Sequence, residues 1–454
     1  MSERTIAAIS TPKGEGGISV IRISGSDAIS IADRCFSAVS GKKLCDMKGY
    51  TAAFGAAVRG DGSRIDEAVA LVFRAPKSYT GEDVVEISVH GGIIPARECL
   101  KSVFEAGAQS AGAGEFTKRA FLNGKMDLAE AESVIEIIGA KNAAALRIAS
   151  GAKEGRIGKD IEKITEKLLF TASSLAAYSD FPDEDIEGLD SEHFSAMIEQ
   201  SEAAVEKLIS TFGNGQAVLL GVPAAIVGKP NVGKSTLMNM LSGNERSIVT
   251  KHAGTTRDIV ETQVNIGDIT LVLSDTAGIR ETDDEIESIG VNRAVKQLDA
   301  AALVLAVFDT SKPFDSEDKR IIDLIKDKNC IAVLNKSDLP IAADCANLSD
   351  FDTVSVSAKL GKGMEELCGK IVEACGAAAL SPDDTVLLNE RQYSCAVRAK
   401  NAIVEAKAAF DSGVTLDAVT VLIDEAINAL LELSGKRATG EVVEEIFKNF
   451  CIGK

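Results

Sequence analysis

The chain has 454 residues, 45% of them hydrophobic and 26% charged, enough for about three soluble domains and a sizeable core; a stapled mini-protein is excluded. No apolar run approaches the roughly 20 residues that cross a bilayer, so no membrane span is expected. The balance of 49 basic against 68 acidic residues, net −19, argues against a bare nucleic-acid binder and leaves an RNA substrate to a local patch or a partner. The first residues lack a basic leader and an apolar stretch, so the chain is expected to be cytoplasmic. Nine cysteines without a C-x-x-C pair indicate neither a disulfide framework nor a zinc site, and three histidines leave little room for histidine chemistry.

Residues 1–120 alternate β-rich runs at 17–23, 68–73 and 84–89 with turns and two helical stretches near 26–38 and 92–106, which predicts an α+β domain. From 121 to 215 the periodicity is helical, with Leu128, Ala131, Val134, Ile135 and Ile138 on one face. Within it, seven of the thirteen residues 180–192 are acidic, a solvated loop by charge alone or, functionally, a partner-docking or switch-contacting loop. Residues 216–378 carry buried-looking strands at 217–227, 271–274, 301–308 and 331–334 between helices, the pattern of a parallel α/β sheet. Helical texture returns over 379–454, with Asp417 as N-cap, apolar positions at 419, 422, 423, 426, 430 and 433, and Gly435 as terminator. Residues 441–450 read as an amphipathic helix with Val442, Val443, Ile446, Phe447 and Phe450 inward, which leaves 451–454 projecting beyond packed structure. Helices on both sides of an α/β segment predict a multidomain α/β protein with an inserted domain.

The chemistry concentrates in the inserted segment. Gly228-Lys229-Pro230-Asn231-Val232-Gly233-Lys234-Ser235 follows an apolar strand and precedes a helical run that begins at Thr236, the context of a P-loop. Its glycines let backbone N–H groups face a phosphate, Lys234 reaches the outer phosphates, and Ser235 can hold Mg²⁺. Asp275-Thr276-Ala277-Gly278 ends another strand, placing Asp275 near Mg²⁺ and Gly278 where its N–H senses the γ-phosphate. Asn335-Lys336-Ser337-Asp338 ends a third. The Asp338 carboxylate can accept from guanine N1–H and its amine, a donor pair adenine lacks, so this motif selects GTP over ATP. Ser357-Ala358-Lys359 completes the set with a backbone N–H for the guanine carbonyl. The residue after Gly278 is Ile279, where many GTPases place a glutamine, so water must be oriented by another group.

With Gly254-Thr255-Thr256-Arg257-Asp258 upstream, Cys451-Ile452-Gly453-Lys454 at the end, and 114–125 and 180–184 fitting its N-terminal and helical signatures, the chain resembles the tRNA uridine-modification GTPase family MnmE, also called TrmE. The resemblance covers the whole length, with one departure at Ala113, where the family commonly has proline. It implies an N-terminal α+β folate-binding domain that dimerises (1–120), a discontinuous helical domain (121–215 and 379–454), and a Ras-like P-loop GTPase domain inserted between its parts (216–378). It further implies that the homodimer works with an FAD-dependent MnmG-type partner, as a heterotetramer, to install an aminomethyl or carboxymethylaminomethyl group on C5 of the wobble uridine of certain tRNAs. The resemblance implies methylene-tetrahydrofolate as the one-carbon source, or a formyl-tetrahydrofolate analogue in its place.

By the same resemblance Arg22, Glu86, Lys125 and Lys454 bind folate, and Cys451 sits near the one-carbon unit. Thr256 adds a Mg²⁺ contact. A potassium ion is held by Asn231 and the segment from Thr250 through His252 to Thr255, and Glu287 positions the water. Two other classes compete: a ribosome-assembly GTPase of the Era or Der kind, which needs an RNA-binding appendage that the helical, acidic 380–454 does not resemble, and a folate-dependent transferase with a merely regulatory G domain.

Overall fold

The computed structural model describes residues 4–12, 14–180, 191–243, 261–274, 298, 300–375, 384–448 and 450–454. The chain divides into two compact units, one formed by 1–135, 161–165 and 424–454, the other by 136–160 and 166–423.

In the first unit, seven strands, β1 (Ile6–Ile9), β2 (Ile18–Ser24), β3 (Phe36–Ala38), β4 (Thr51–Val58), β5 (Arg64–Phe73), β6 (Val84–His90) and β7 (Gln109–Ser110), form one sheet in the order β3-β4-β5-β6-β2-β1-β7. Helices α1 (Ala28–Cys35) and α2 (Ile93–Glu105) pack with it. Successive strand residues face opposite sides, so Ile21, Ile23, Val85 and Ile87 join Ile29, Ile31, Cys99 and Val103 in the core. Arg22 and Glu86 lie between these core residues and are direct partners across the antiparallel β2–β6 pair. They therefore share the opposite face. Helices α3 (Glu115–Leu122) and α13 (Gly440–Lys448) close a second cluster in which Val443, Phe447 and Phe450 meet Ala120, Leu128 and Ala131. This is the amphipathic face expected for 441–450.

The second unit combines long helices with a six-stranded sheet. Before the sheet come α5 (Ala143–Lys153) and α7 (Ser191–Leu220), and after it α11 (Glu390–Asp411). Helices α4 (Leu128–Gly139), α6 (Arg156–Asp180) and α12 (Leu416–Ser434) contribute residues to both units. Phe194 stacks on Phe410 and Phe212 on Tyr393, with ring centroids 4.0 and 4.5 Å apart, and Lys407 and Lys400 pair with Glu199 and Glu206 at 2.6 Å. Helices that precede and follow the sheet in sequence are thus packed side by side. The sheet runs β13-β12-β11-β8-β10-β9, from β8 (Val222–Val227), β9 (Glu261–Ile266), β10 (Ile269–Ser274), β11 (Leu303–Asp309), β12 (Cys330–Asn335) and β13 (Asp352–Ser355). All neighbours are parallel except the β9–β10 hairpin. Helices α8 (Lys234–Gly243), α9 (Ser316–Ile325) and α10 (Met364–Ala374) belong to the same region. Strand β11 is buried at all seven positions, as a central parallel strand must be.

Four local expectations change. The helix expected near 26–38 ends at Cys35, and 36–38 form strand β3. The strand expected at 217–227 begins at Val222, because α7 runs on to Leu220 and Gly221, at φ +84°, breaks it; an apolar run such as 217–220 suits a buried helix end as well as a strand. Helix α12 starts at Leu416, so Asp417 lies in its first turn and is not its N-cap. The tail 451–454 does not project, as shown below. Among the described residues no helix is long and apolar enough to cross a membrane, and all nine cysteines are free thiols.

Candidate functional site

The parallel strands deliver their carboxyl ends to one edge of the sheet, where ligands of open α/β folds bind. Strand β8 leads into the P-loop and α8 begins at Lys234. The loop's tight path is visible in its backbone. Asn231 adopts φ +64°, and Gly233, at φ +102°, passes so close to the Asn335 amide nitrogen that a Cβ would collide with it. Gly233→Ala is therefore expected to lower nucleotide affinity at least a hundredfold and to cost about 1–3 kcal/mol of stability, measurable by calorimetry and thermal melting.

Asn335 staples the site together. Its Nδ2 donates to the Val232 carbonyl at 2.7 Å, and its Oδ1 accepts from the Ala358 N–H at 3.0 Å. One buried side chain thus fixes the P-loop against the S-A-K loop. Asp338 lies exposed beyond it and accepts from the Ser357 hydroxyl at 2.6 Å. That hydrogen bond holds its carboxyl below the usual range, keeping it an ionised acceptor with room for further donors. Lys336, at φ +64°, turns away and pairs with Asp309 at 2.6 Å, and Lys359 is exposed. Lys234 donates to the Gly228 and Lys229 carbonyls at 2.7 and 2.8 Å, and burial pushes its pKa down. Its ammonium is therefore held inside the loop where phosphate oxygens bind. The Ser235 and Thr236 hydroxyls stand exposed in the first turn of α8.

Thr250, His252, Thr255, Thr256, Asp275, Thr276, Ala277, Gly278 and Glu287 lie outside the described residues, as do 181–190 of the acidic segment. One part of the cleft escaped the sequence reading. Lys229 pairs with Asp315 at 2.7 Å and Asp318 at 2.5 Å, the two carboxylates of the capping box that opens α9. The D-x-x-D spacing at 315–318 was the signal in the sequence that could have marked the cap.

The other predicted residues gather in the first unit. Arg22 and Glu86 form an ion pair of 2.8 Å, and the guanidinium lies 5.3 and 5.6 Å from the Tyr79 and Phe116 ring centroids. Tyr79 shares a 2.8 Å hydrogen bond with Thr117, and Lys125 donates to the Pro76 carbonyl at 3.1 Å. The tail is pinned against the same segment. Ile452 bridges Ala113, the Gly114 N–H donates to Cys451 O at 3.3 Å, and the Phe116 N–H donates to Lys454 O at 3.2 Å. Gly453, at φ +99°, runs against the Ile9 carbonyl, where a Cβ would not fit. Cys451 remains exposed. The backbone therefore ties Lys454 to Phe116, whose ring meets Arg22, while Tyr79 joins Lys125's loop to them. A nearby cavity of about 710 Å³ is lined by Arg4, Glu115, Lys118, Arg119, Glu444 and Lys448 among others, and by none of the predicted residues.

A P-loop, an N-K-S-D segment and an S-A-K loop along one edge of a mostly parallel sheet define a Ras-like P-loop GTPase domain. Beyond that domain, residues 5–125 match the family described as GTP-binding protein TrmE N-terminus, and 128–451 the MnmE helical domain. The tRNA modification GTPase MnmE of Moorella thermoacetica is 40% identical over the full length of both chains. Those of Geobacillus kaustophilus and Lactococcus lactis are 39% and 40% identical, each over 99% of this chain and 99% and 98% of their own. The chain belongs to the tRNA modification GTPase MnmE family.

Proposed function

We propose that the protein hydrolyses GTP in the cytoplasm to drive modification of tRNA at C5 of the wobble uridine, as a homodimer joined by an FAD-dependent MnmG-type partner in a heterotetramer. The observation that supports this reading past a simple GTPase is the docking of 451–454 against Ala113, Gly114 and Phe116, the last of which meets Arg22 through its ring. An assembly GTPase of the Era or Der kind has no use for such a site.

The residues present suit a folate. The half-buried Tyr79 offers aromatic surface, Glu86 keeps acceptor capacity beyond its bond to Arg22 for the pterin amide and amine, and Arg22, Lys125 and Lys454 suit anionic carboxylates. Methylene-tetrahydrofolate, or a formyl analogue in its place, would supply the one-carbon unit. Cys451, exposed at this position, is the candidate nucleophile.

In the G domain, Asn231, Val232, Gly233, Lys234, Ser235 and Thr236 cradle the phosphates, with Ser235 and Thr256 as Mg²⁺ ligands. Asp275 to Gly278 sense the γ-phosphate, and Asn335, Lys336, Asp338, Ser357, Ala358 and Lys359 frame the base. The exposed Asn231 amide suits K⁺, which prefers neutral oxygen donors, together with Thr250, His252 and Thr255. A cation there stabilises charge developing at the β–γ bridge, and Glu287 orients the water. Turnover in KCl is expected to exceed that in NaCl at least about tenfold, with Glu287→Ala binding GTP normally but hydrolysing it slowly; equal rates in both salts would remove potassium from the mechanism. Nucleoside analysis of a deletion strain tests the function itself: unmodified wobble uridines are expected, and a full complement of modified ones would refute it.

A further inference from the structure

The β9–β10 hairpin, from Glu261 to Ser274, lies in the chain between Thr256 and Asp275. It is therefore the covalent link between the two expected nucleotide-sensing segments, and its turn end is held by a closed circuit of side chains. Asn142, the N-cap of α5, accepts from the Ala145 N–H at 2.7 Å, which commits its oxygen and leaves its amide nitrogen as donor. That nitrogen donates to Thr270 Oγ1 at 3.0 Å and to the Val218 carbonyl in the last turn of α7 at 3.3 Å. Thr270 Oγ1 donates to Asn265 Oδ1 at 2.7 Å, and Asn265 Nδ2 donates to the Lys141 carbonyl at 2.8 Å, returning the circuit to the residue beside Asn142. Thr270 is fully buried and Asn265 nearly so.

Two flanking contacts reach the same place: Lys141 Nζ donates to the Leu220 carbonyl at 3.0 Å, and Arg147 pairs with Asp268 in the hairpin turn at 3.1 Å. A cavity of about 540 Å³, lined in part by Lys141, Leu220, Gly221 and Val272, borders the joint. The hairpin's core face is packed through Val264, Ile266, Ile269, Leu271 and Leu273, and on the cavity side the hydrogen bonds add the contact to α5 and α7. The amide of Asn142 alone touches three things at once: the start of α5, the end of the helix that feeds the P-loop strand, and the hairpin between the two switch segments.

We infer that Asn142, acting through Thr270, is a positioning residue that couples the nucleotide-sensing segments of the G domain to helix α5. The inference goes beyond the proposed function and takes from it only that the cleft binds GTP. The circuit is short and centres on the buried Thr270, so a displaced hairpin either carries α5 with it or breaks these bonds.

The chain contains no tryptophan, so Leu146→Trp, at a half-exposed position on α5, gives a single fluorescent reporter in the full-length protein. A non-hydrolysable GTP analogue is titrated by calorimetry and by this signal. Asn142→Asp keeps the cap acceptor while replacing the donor, and Thr270→Val removes the hydroxyl at constant shape. Each is expected to reduce the analogue-driven fluorescence change at least fivefold while its Kd moves less than twofold, with Thr270→Ser restoring the signal. A merely structural role would instead lower the melting temperature and leave the signal per bound nucleotide intact. Analogue binding with a full-sized change in both variants, or with no change in the reporter chain itself, overturns the inference. Failure of the native chain to bind the analogue at all would overturn the GTP reading as well.

Discussion

Removal of residues 451–454 is expected to abolish wobble-uridine modification while leaving GTP binding and basal hydrolysis within about twofold of the intact chain. Among the described residues, the contacts of the deleted groups lie in the first unit. Cys451 and Lys454 carbonyls accept from Gly114 and Phe116, and Gly453 lies on Ile9, whereas the nucleotide loops belong to the sheet of the second unit. Phe450, 5% exposed in its cluster with Phe447 and Val443, stays in place, so the fold should survive the truncation. Cys451→Ser separates the thiol from the docking: it keeps every backbone contact, and loss of modification in that variant would identify the sulfur as the reactive group. Full modification by the truncated protein in cells would remove the tail from the chemistry.

Asp338→Asn is expected to lower GTP affinity by about a hundredfold or more and to favour xanthosine triphosphate. Two hydrogen bonds from guanine to a carboxylate are worth about 1.5–3 kcal/mol each, and an asparagine nitrogen facing the guanine amine would set donor against donor. The Ser357 hydroxyl can donate to an amide oxygen as readily as to a carboxylate, so the loop geometry should persist. Because Ser357 holds the Asp338 carboxyl below its ordinary range, the acceptor is lost only as pH falls through that lowered pKa. GTP affinity of the native chain should accordingly stay flat between about pH 5 and 8. Competition binding with GTP, ATP and xanthosine triphosphate reads out all of this, and unchanged GTP affinity in the variant would unseat Asp338 as base reader.

What the sequence disclosed follows from which constraints are local. The P-loop was legible because its glycines answer a backbone demand: at φ +102° and against Asn335, Gly233 has no substitute. The strands β2, β5 and β6 were legible from period-two burial, and α13 from Val443 and Phe447. Strand β4 was not, because Thr-Ala-Ala-Phe-Gly-Ala-Ala-Val offers no β-branched run and takes its conformation from pairing with β5. Long-range use of a residue was equally hidden. Nothing near Asn142 points to Thr270, 128 positions away, and the tail read as projecting because its restraint is a backbone bridge to Ala113, to which side-chain patterns are blind. That bridge also makes the alanine at 113 tolerable, since it enlists the main chain.

The central claim is that one chain joins a GTP-driven G domain to a folate-fed modification site. It is tested most directly by reconstitution of the full-length protein with its FAD-dependent partner, unmodified tRNA, GTP, K⁺ and methylene-tetrahydrofolate labelled in the methylene carbon, followed by mass analysis of the wobble nucleoside. The label is expected on the C5 substituent of uridine only when GTP is present, and to vanish with Lys234→Ala. Labelled nucleoside formed equally without GTP, or modified nucleoside that carries no label, would contradict the account.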